Sequence, residues 1–180
     1  STVCNDKEAI MIIGDSGNGK STLAAILMAN GFDLLADDFT PMLSENQHVY
    51  RFPAAISIKP GAVDMIEALF SGFKDSKLHM STSKPTMVKY LPPAKPFNAS
   101  QKHFPCNKLV TVKYSSSGPS ELKACDAEQT LQKFIPDSWI SPQPQHSKQF
   151  LNWLKDLKFY ELTYNDNDYA VAKFHELFKL

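Results

Sequence analysis

The chain has 180 residues, 43% of them hydrophobic and 21% charged, which is enough for one domain with a sizeable core and a squeeze for two. Its 19 basic and 19 acidic side chains cancel, so the distribution of charge matters more than the sum. No apolar run approaches the roughly 20 residues of a membrane span, and no basic flank leads into an apolar core at the N-terminus, so a cytoplasmic protein that does not engage a membrane is expected.

In chain order, the apolar run EAIMII (8–13) stops at Gly14 and predicts a buried, central strand. KSTLAAILMAN (20–30) is made of good helix formers, with Gly31 placed for a left-handed cap. DLLAD (33–37) predicts a second buried strand with aspartates at its C-terminal end. LSENQHVYRF alternates around Ser44, Glu45 and Asn46 as a hairpin would, and AAISIK predicts a strand before Pro60 and Gly61. AVDMIEALF (62–70) has helical spacing, whereas 71–85 is polar, lysine-rich and aperiodic, the best candidate for a mobile loop.

Strands are expected at 86–91 and 108–114, joined by a proline-rich connection over 92–105. Asp126 to Gln129 is a capping signal for a helix to Ile135. A helix over 145–157, a strand over 159–164 and a helix over 166–178 follow. The sum is an α/β domain over residues 1–180 with a mixed β-sheet and a helical C-terminal part. The chain opens at Ser1 without a methionine, as a chain trimmed upstream would, and an oligomer is compatible with the sequence.

Cys4, Cys106 and Cys125 are odd in number and widely separated, which fits buried reduced thiols rather than a disulfide framework or a CxxC metal site. Residues 74–113 hold eight lysines (74, 77, 84, 89, 95, 102, 108, 113) against Asp75, a local charge of +7, with −5 before it and −2 after it. Such a stretch faces an acidic partner or phosphates, or is a set of solvated lysines. With Arg51 the only arginine and no interleaved aromatics, nucleic acid is not the expected partner.

The segment Gly14-Asp15-Ser16-Gly17-Asn18-Gly19-Lys20-Ser21 matches G-x-x-x-x-G-K-[ST] at every fixed position and is followed by Thr22. Glycines let the backbone wrap so that amide hydrogens point at phosphates, and a helix starting at Gly19 adds its positive dipole end. Lys20 would neutralise the β and γ phosphates, and Ser21 would offer its hydroxyl to Mg²⁺. The motif follows an expected strand and opens an expected helix, the context it requires.

Asp37 and Asp38 end the next expected strand. One bland role for such a pair is a turn and a cap. Beside a phosphate loop, one carboxylate can serve Mg²⁺ and a second can take a proton from an attacking hydroxyl, which simple NTP hydrolysis does not require. Asn107-Lys108-Leu109-Val110 lacks the aspartate of a guanine-reading motif, which argues against a regulatory GTPase.

GDSGNGKSTLAAILMANGFDLLADDFTPM resembles the kinase domain of HPr kinase/phosphorylase and its shorter relatives, a P-loop group that shares a fold with ATP-dependent phosphoenolpyruvate carboxykinase. FPAAISIKPG, MVKYLPP and FYELTYNDNDYAVAKFHELF also look like the shorter relatives. The resemblance implies serine, or other hydroxyl, phosphorylation with ATP and Mg²⁺. It implies Asp37 as general base, Asp38 with Ser21 at the metal, and Arg51 or Lys59 as phosphate or substrate contacts. The family also tends to carry a histidine just before the segment matching Ser1-Thr2-Val3; His48, His79 and His103 are no obvious substitutes. Ser57 and Lys59 stand where HPr kinases carry a glutamate and an arginine, a departure that points away from HPr itself as acceptor and from phosphorolysis. The expected partners are a nucleotide and a protein or peptide acceptor. A small-molecule kinase of the same fold and a non-catalytic nucleotide-binding module remain the alternatives.

Overall fold

The computed structural model describes residues 1–43, 45–81, 86–98 and 102–180. The chain opens with β1 (Thr2–Cys4), β2 (Ala9–Ile13), helix α1 (Lys20–Ala29) and β3 (Asp33–Ala36). The hairpin β4 (Met42–Leu43) and β5 (His48–Tyr50) comes next, then β6 (Ile56–Ile58), α2 (Val63–Leu69), β7 (Leu78–Met80) and β8 (Met87–Leu91). The rest is β9 (His103–Tyr114), β10 (Glu121–Ala124), α3 (Ala127–Phe134), α4 (Pro144–Lys155), β11 (Lys158–Tyr164) and α5 (Asn167–Leu177). The protein is thus mixed α/β.

An eight-stranded mixed sheet runs β10-β11-β9-β2-β1-β3, with β5 joined to β9 and β4 to β5. β2, β9 and β11 are parallel neighbours, and β1 lies antiparallel between β2 and β3. β2 and β3 therefore run the same way, and the α1 crossover delivers both of their C-terminal ends to one rim of the sheet. β6, β8 and β7 form a separate three-stranded antiparallel sheet.

Helices cover both faces of the main sheet, which is why its central strands are apolar on both sides. Ile10 and Ile12 of β2 pack with Leu23 and Leu27 of α1, Val110 and Val112 of β9, and Phe174 of α5. Ala9 and Met11, pointing the other way, pack with Leu109, Phe159, and Trp153 and Leu154 of α4. The Trp153 indole N–H donates to the Cys106 carbonyl over 2.7 Å, which fixes α4 on β9. Cys4 and Cys106 are buried in these layers, and burial pushes both thiols up to about 12, so they are inert at neutral pH.

Most expected elements stand within a residue or two of their places, and Asp126 does cap α3, its carboxylate accepting from the Glu128 amide. The strand expected over 33–37 ends at Ala36. β1 and β10 are not among the expected elements. β9 begins at His103, five residues before the expected start at Lys108 and within what reads as a proline-rich connection. Pro105 is tolerated there because the strand's early part pairs with the short β5, and the register with β2 shifts between Ala9 and Ile10. The expected loop at 71–85 contains β7, an exposed strand on the small sheet; residues 82–85 and the hairpin's Ser44 lie outside the described residues.

The lysine-rich stretch is not one cationic surface. Lys108 is only 1% exposed and bonds both Glu8 oxygens at 2.9 Å. Lys89 pairs with Glu67 at 2.7 Å, and Lys95 lies 3.6 Å from Asp33. Lys84 is outside the described residues. No helix among the described residues is long and apolar enough to cross a membrane.

Candidate phosphate site

The loop between β2 and α1 turns on left-handed glycines, with φ of 136° at Gly14, 100° at Gly17 and 89° at Gly19. A side chain at Gly14 would also bring its Cβ within 2.9 Å of the Val112 carbonyl oxygen, and one at Gly19 within 3.2 Å of the Tyr164 hydroxyl. Glycine is therefore required twice over at Gly14, by conformation and by space, whereas at Gly19 the left-handed backbone is the main demand and the contact is only tight. The loop is pinned by the Asn18 amide on the Asp15 carbonyl (3.2 Å) and by the Tyr114 amide on the Asn18 carbonyl (3.1 Å). α1 then starts at Lys20 with no side-chain cap on Gly19, which leaves its first amides available to an anion.

Lys20 Nζ donates to the Asp15 carbonyl at 3.0 Å, folding the side chain back over the loop. Burial lowers the Lys20 pKa; Asp38 and then Asp37 pull it back up, and Lys59 lowers it further. A half-buried ammonium next to a second cation is a site that gains from a bound anion.

The two aspartates part company at the end of β3. Asp37 is buried, and its Oδ1 accepts hydrogen bonds from the hydroxyls of Ser21 (3.1 Å) and Ser1. Asp38 takes a left-handed backbone, φ 52°, in a tight turn closed by the Phe39 amide on the Asp37 carbonyl, and its side chain is exposed. That turn aims the neighbouring carboxylates to different places, one inward to Ser21 and one outward.

A cavity of about 370 Å³ lies over the helix start, bordered on one side by Ser16, Gly17, Gly19, Lys20, Ser21 and Thr22, with Asp38 at its end. Its other wall comes from the small sheet: Ser57, Lys59, Ser81, Thr86 and Val88. Gly14, Asp15 and Asn18 border an adjacent cavity of about 520 Å³, which Lys20 and Asp38 also border and Ser1 lines. The motif residues are thus brought together around two contiguous spaces. Apart from Lys59, the small-sheet wall was not legible, because β6 and β8 reach the loop only through tertiary packing.

Lys59 joins the site, but Arg51 does not. The Arg51 guanidinium is buried, with Nη1 donating to the Leu34 carbonyl (2.6 Å) and to Asp33 (3.3 Å) and Nη2 to Asp33 (2.5 Å). It is committed to holding the chain after β5 against β3, which corrects its expected role as a phosphate contact. None of the three histidines borders the cavity over the helix start. His48 and His103 face each other across β5 and β9, Nδ1 to Nδ1 at 2.8 Å, and the His79 ring leans on Tyr90.

Among the described residues no group of three or more His, Cys, Asp or Glu forms a metal cage. Mg²⁺ does not call for one: a hydroxyl, one or two carboxylates, waters and the phosphates of a nucleotide are its usual shell, and Ser21 and Asp38 border the same cavity. No protein-family model matches the chain, and neither does any curated protein.

Proposed function

We propose that the chain is an ATP-dependent kinase, built as a P-loop domain of the HPr kinase/phosphoenolpyruvate carboxykinase-like type, which transfers the γ-phosphoryl group to a hydroxyl of a cytoplasmic protein or peptide, serine being the favoured acceptor. The observation that carries this reading is the convergence of Lys20, Ser21 and both aspartates at one rim of the sheet, joined by the Ser21–Asp37 hydrogen bond.

In this reading the loop amides and Lys20 receive the phosphates, with Lys59 facing them from the small sheet. Ser21 and Asp38 would hold Mg²⁺, which when bound supplies charge neutralisation on the phosphate oxygens. Asp37 takes the proton of the acceptor hydroxyl as its oxygen attacks the γ phosphorus. One O–P bond forms, the bond from phosphorus to the bridging oxygen breaks, ADP leaves with that electron pair, and the proton passes from Asp37 to solvent. The Ser1 hydroxyl already donates to Asp37, so a serine hydroxyl fits against that carboxylate.

Calorimetric titration with Mg·ATP tests the site. The protein should bind, and Lys20→Ala should weaken binding at least about tenfold, the loss of one charge-assisted phosphate contact. Equal affinity in the two proteins would remove the proposed site.

A further inference from the structure

A groove of about 790 Å³, bordered like the phosphate cavity by Asp38, runs past Phe39, Leu43, Trp139 and Ile140. Its character is opposite to that of the phosphate site. Trp139 is 90% exposed, and Phe39 and Leu43 are each nearly half exposed. The Phe39 ring stands edge-on to Trp139 at 5.9 Å and to Phe52 at 5.5 Å, so the aromatics form a continuous apolar strip. A contiguous exposed strip of this kind marks a surface that another molecule covers.

Two observations say what covers it. The groove and the phosphate cavity share Asp38, and the space lined by Ser1 also meets Asp38, so an occupant of the groove has one end at Asp38, next in the chain to the buried Asp37 whose carboxylate the Ser1 hydroxyl reaches. The second is β4, whose Met42 and Leu43 line the groove; it pairs with β5 on one edge and has no partner strand on the other among the described residues. An open strand edge beside side-chain pockets is a template for an extended peptide. A small polar metabolite would use neither the edge nor the aromatic strip.

We propose that the acceptor is an extended peptide segment in which the phosphorylated serine is flanked by a large apolar side chain, seated between Leu43 and Trp139 while the hydroxyl reaches Asp37. This rests on the kinase reading above and adds the class of acceptor. Trp139 and Leu43 are specificity residues; they touch the flanking side chain and take no part in the transfer.

The test uses a serine-centred positional-scanning peptide library with γ-labelled ATP and Mg²⁺, on the wild type, Trp139→Ala and Leu43→Ala, with Mg·ATP affinity measured on each. Leu, Phe or Trp at one fixed offset from the serine should raise labelling at least about tenfold, as filling an apolar pocket does. Trp139→Ala should raise KM for those peptides and reduce the preference to within about twofold, with Mg·ATP affinity unchanged. Labelling without an apolar preference, a preference that survives both variants, or no labelled peptide from a protein that binds Mg·ATP would each overturn the proposal and leave the nucleotide site standing. A wild type that does not bind Mg·ATP would overturn both.

Discussion

The hydroxyl of Ser21, in the first turn of α1, donates to the carboxylate of Asp37, just past the end of β3, over 3.1 Å. This bond joins the two halves of the motif, which are 16 residues apart in sequence, and it exists only because β1 spaces β3 from β2 while keeping the two parallel. Ser21→Ala removes it. Mg²⁺ affinity in the presence of ATP should fall at least about tenfold, and stability by about 1 kcal/mol for the lost hydrogen bond. Magnesium titration of ATP binding and a urea melt read the two effects separately.

The glycines of the loop should not tolerate alanine equally. At Gly17 only the left-handed backbone resists, since nothing lies within 4 Å of an added Cβ. Gly17→Ala should therefore cost about 1–2 kcal/mol. At Gly14 the same strain is joined by a backbone oxygen at 2.9 Å that cannot move aside, so the loss should be larger, about 2–4 kcal/mol. Thermal melts of the two variants should rank them in that order.

Arg51 and Asp33 form a buried pair, and removing Arg51 leaves the buried Asp33 carboxylate with only the half-exposed Lys95 at 3.6 Å. Arg51→Ala should destabilise the protein by about 3–5 kcal/mol. Folded Arg51→Ala protein, measured at low temperature, should keep wild-type Mg·ATP affinity. A selective loss of ATP affinity with unchanged stability would restore Arg51 to the phosphate site.

Burial holds the Lys20 pKa below its ordinary 10.5. Its charge, and with it the attraction for phosphate, is complete below the lowered value and is lost as pH rises through it. ATP affinity should thus begin to fall as pH rises through a value below 10.5. The stability of the free protein runs the other way: between the lowered value and 10.5 the unfolded chain holds more protons, so stability rises with pH. Lys20→Arg, which does not titrate there, should flatten both trends. Affinity and melting measured from about pH 7 to 10 would show it.

The strand, loop, helix and strand that build the site were legible because each is local: an apolar run, a glycine pattern, a helix-forming run and a second apolar run. What stayed hidden is what tertiary pairing creates. β1 is three residues whose strand character comes from lying between β2 and β3. Lys108 reads as one more solvated lysine until Glu8 closes on it, and Arg51 reads as a possible phosphate contact until Asp33 does. Trp139 carries no periodic signal; only the fold brings it to Phe39.

In the proposed reaction a phosphoryl group moves from ATP to a hydroxyl with Asp37 taking the proton. The most direct measurement incubates wild type and Asp37→Asn with γ-labelled ATP and Mg²⁺ in lysate of the protein's source and follows label into protein and peptide. Wild type should give phosphoserine in a discrete acceptor, and Asp37→Asn should bind Mg·ATP comparably while transferring about 10²–10⁴-fold more slowly. Undiminished transfer by Asp37→Asn, or label that enters only a small metabolite, would contradict the account.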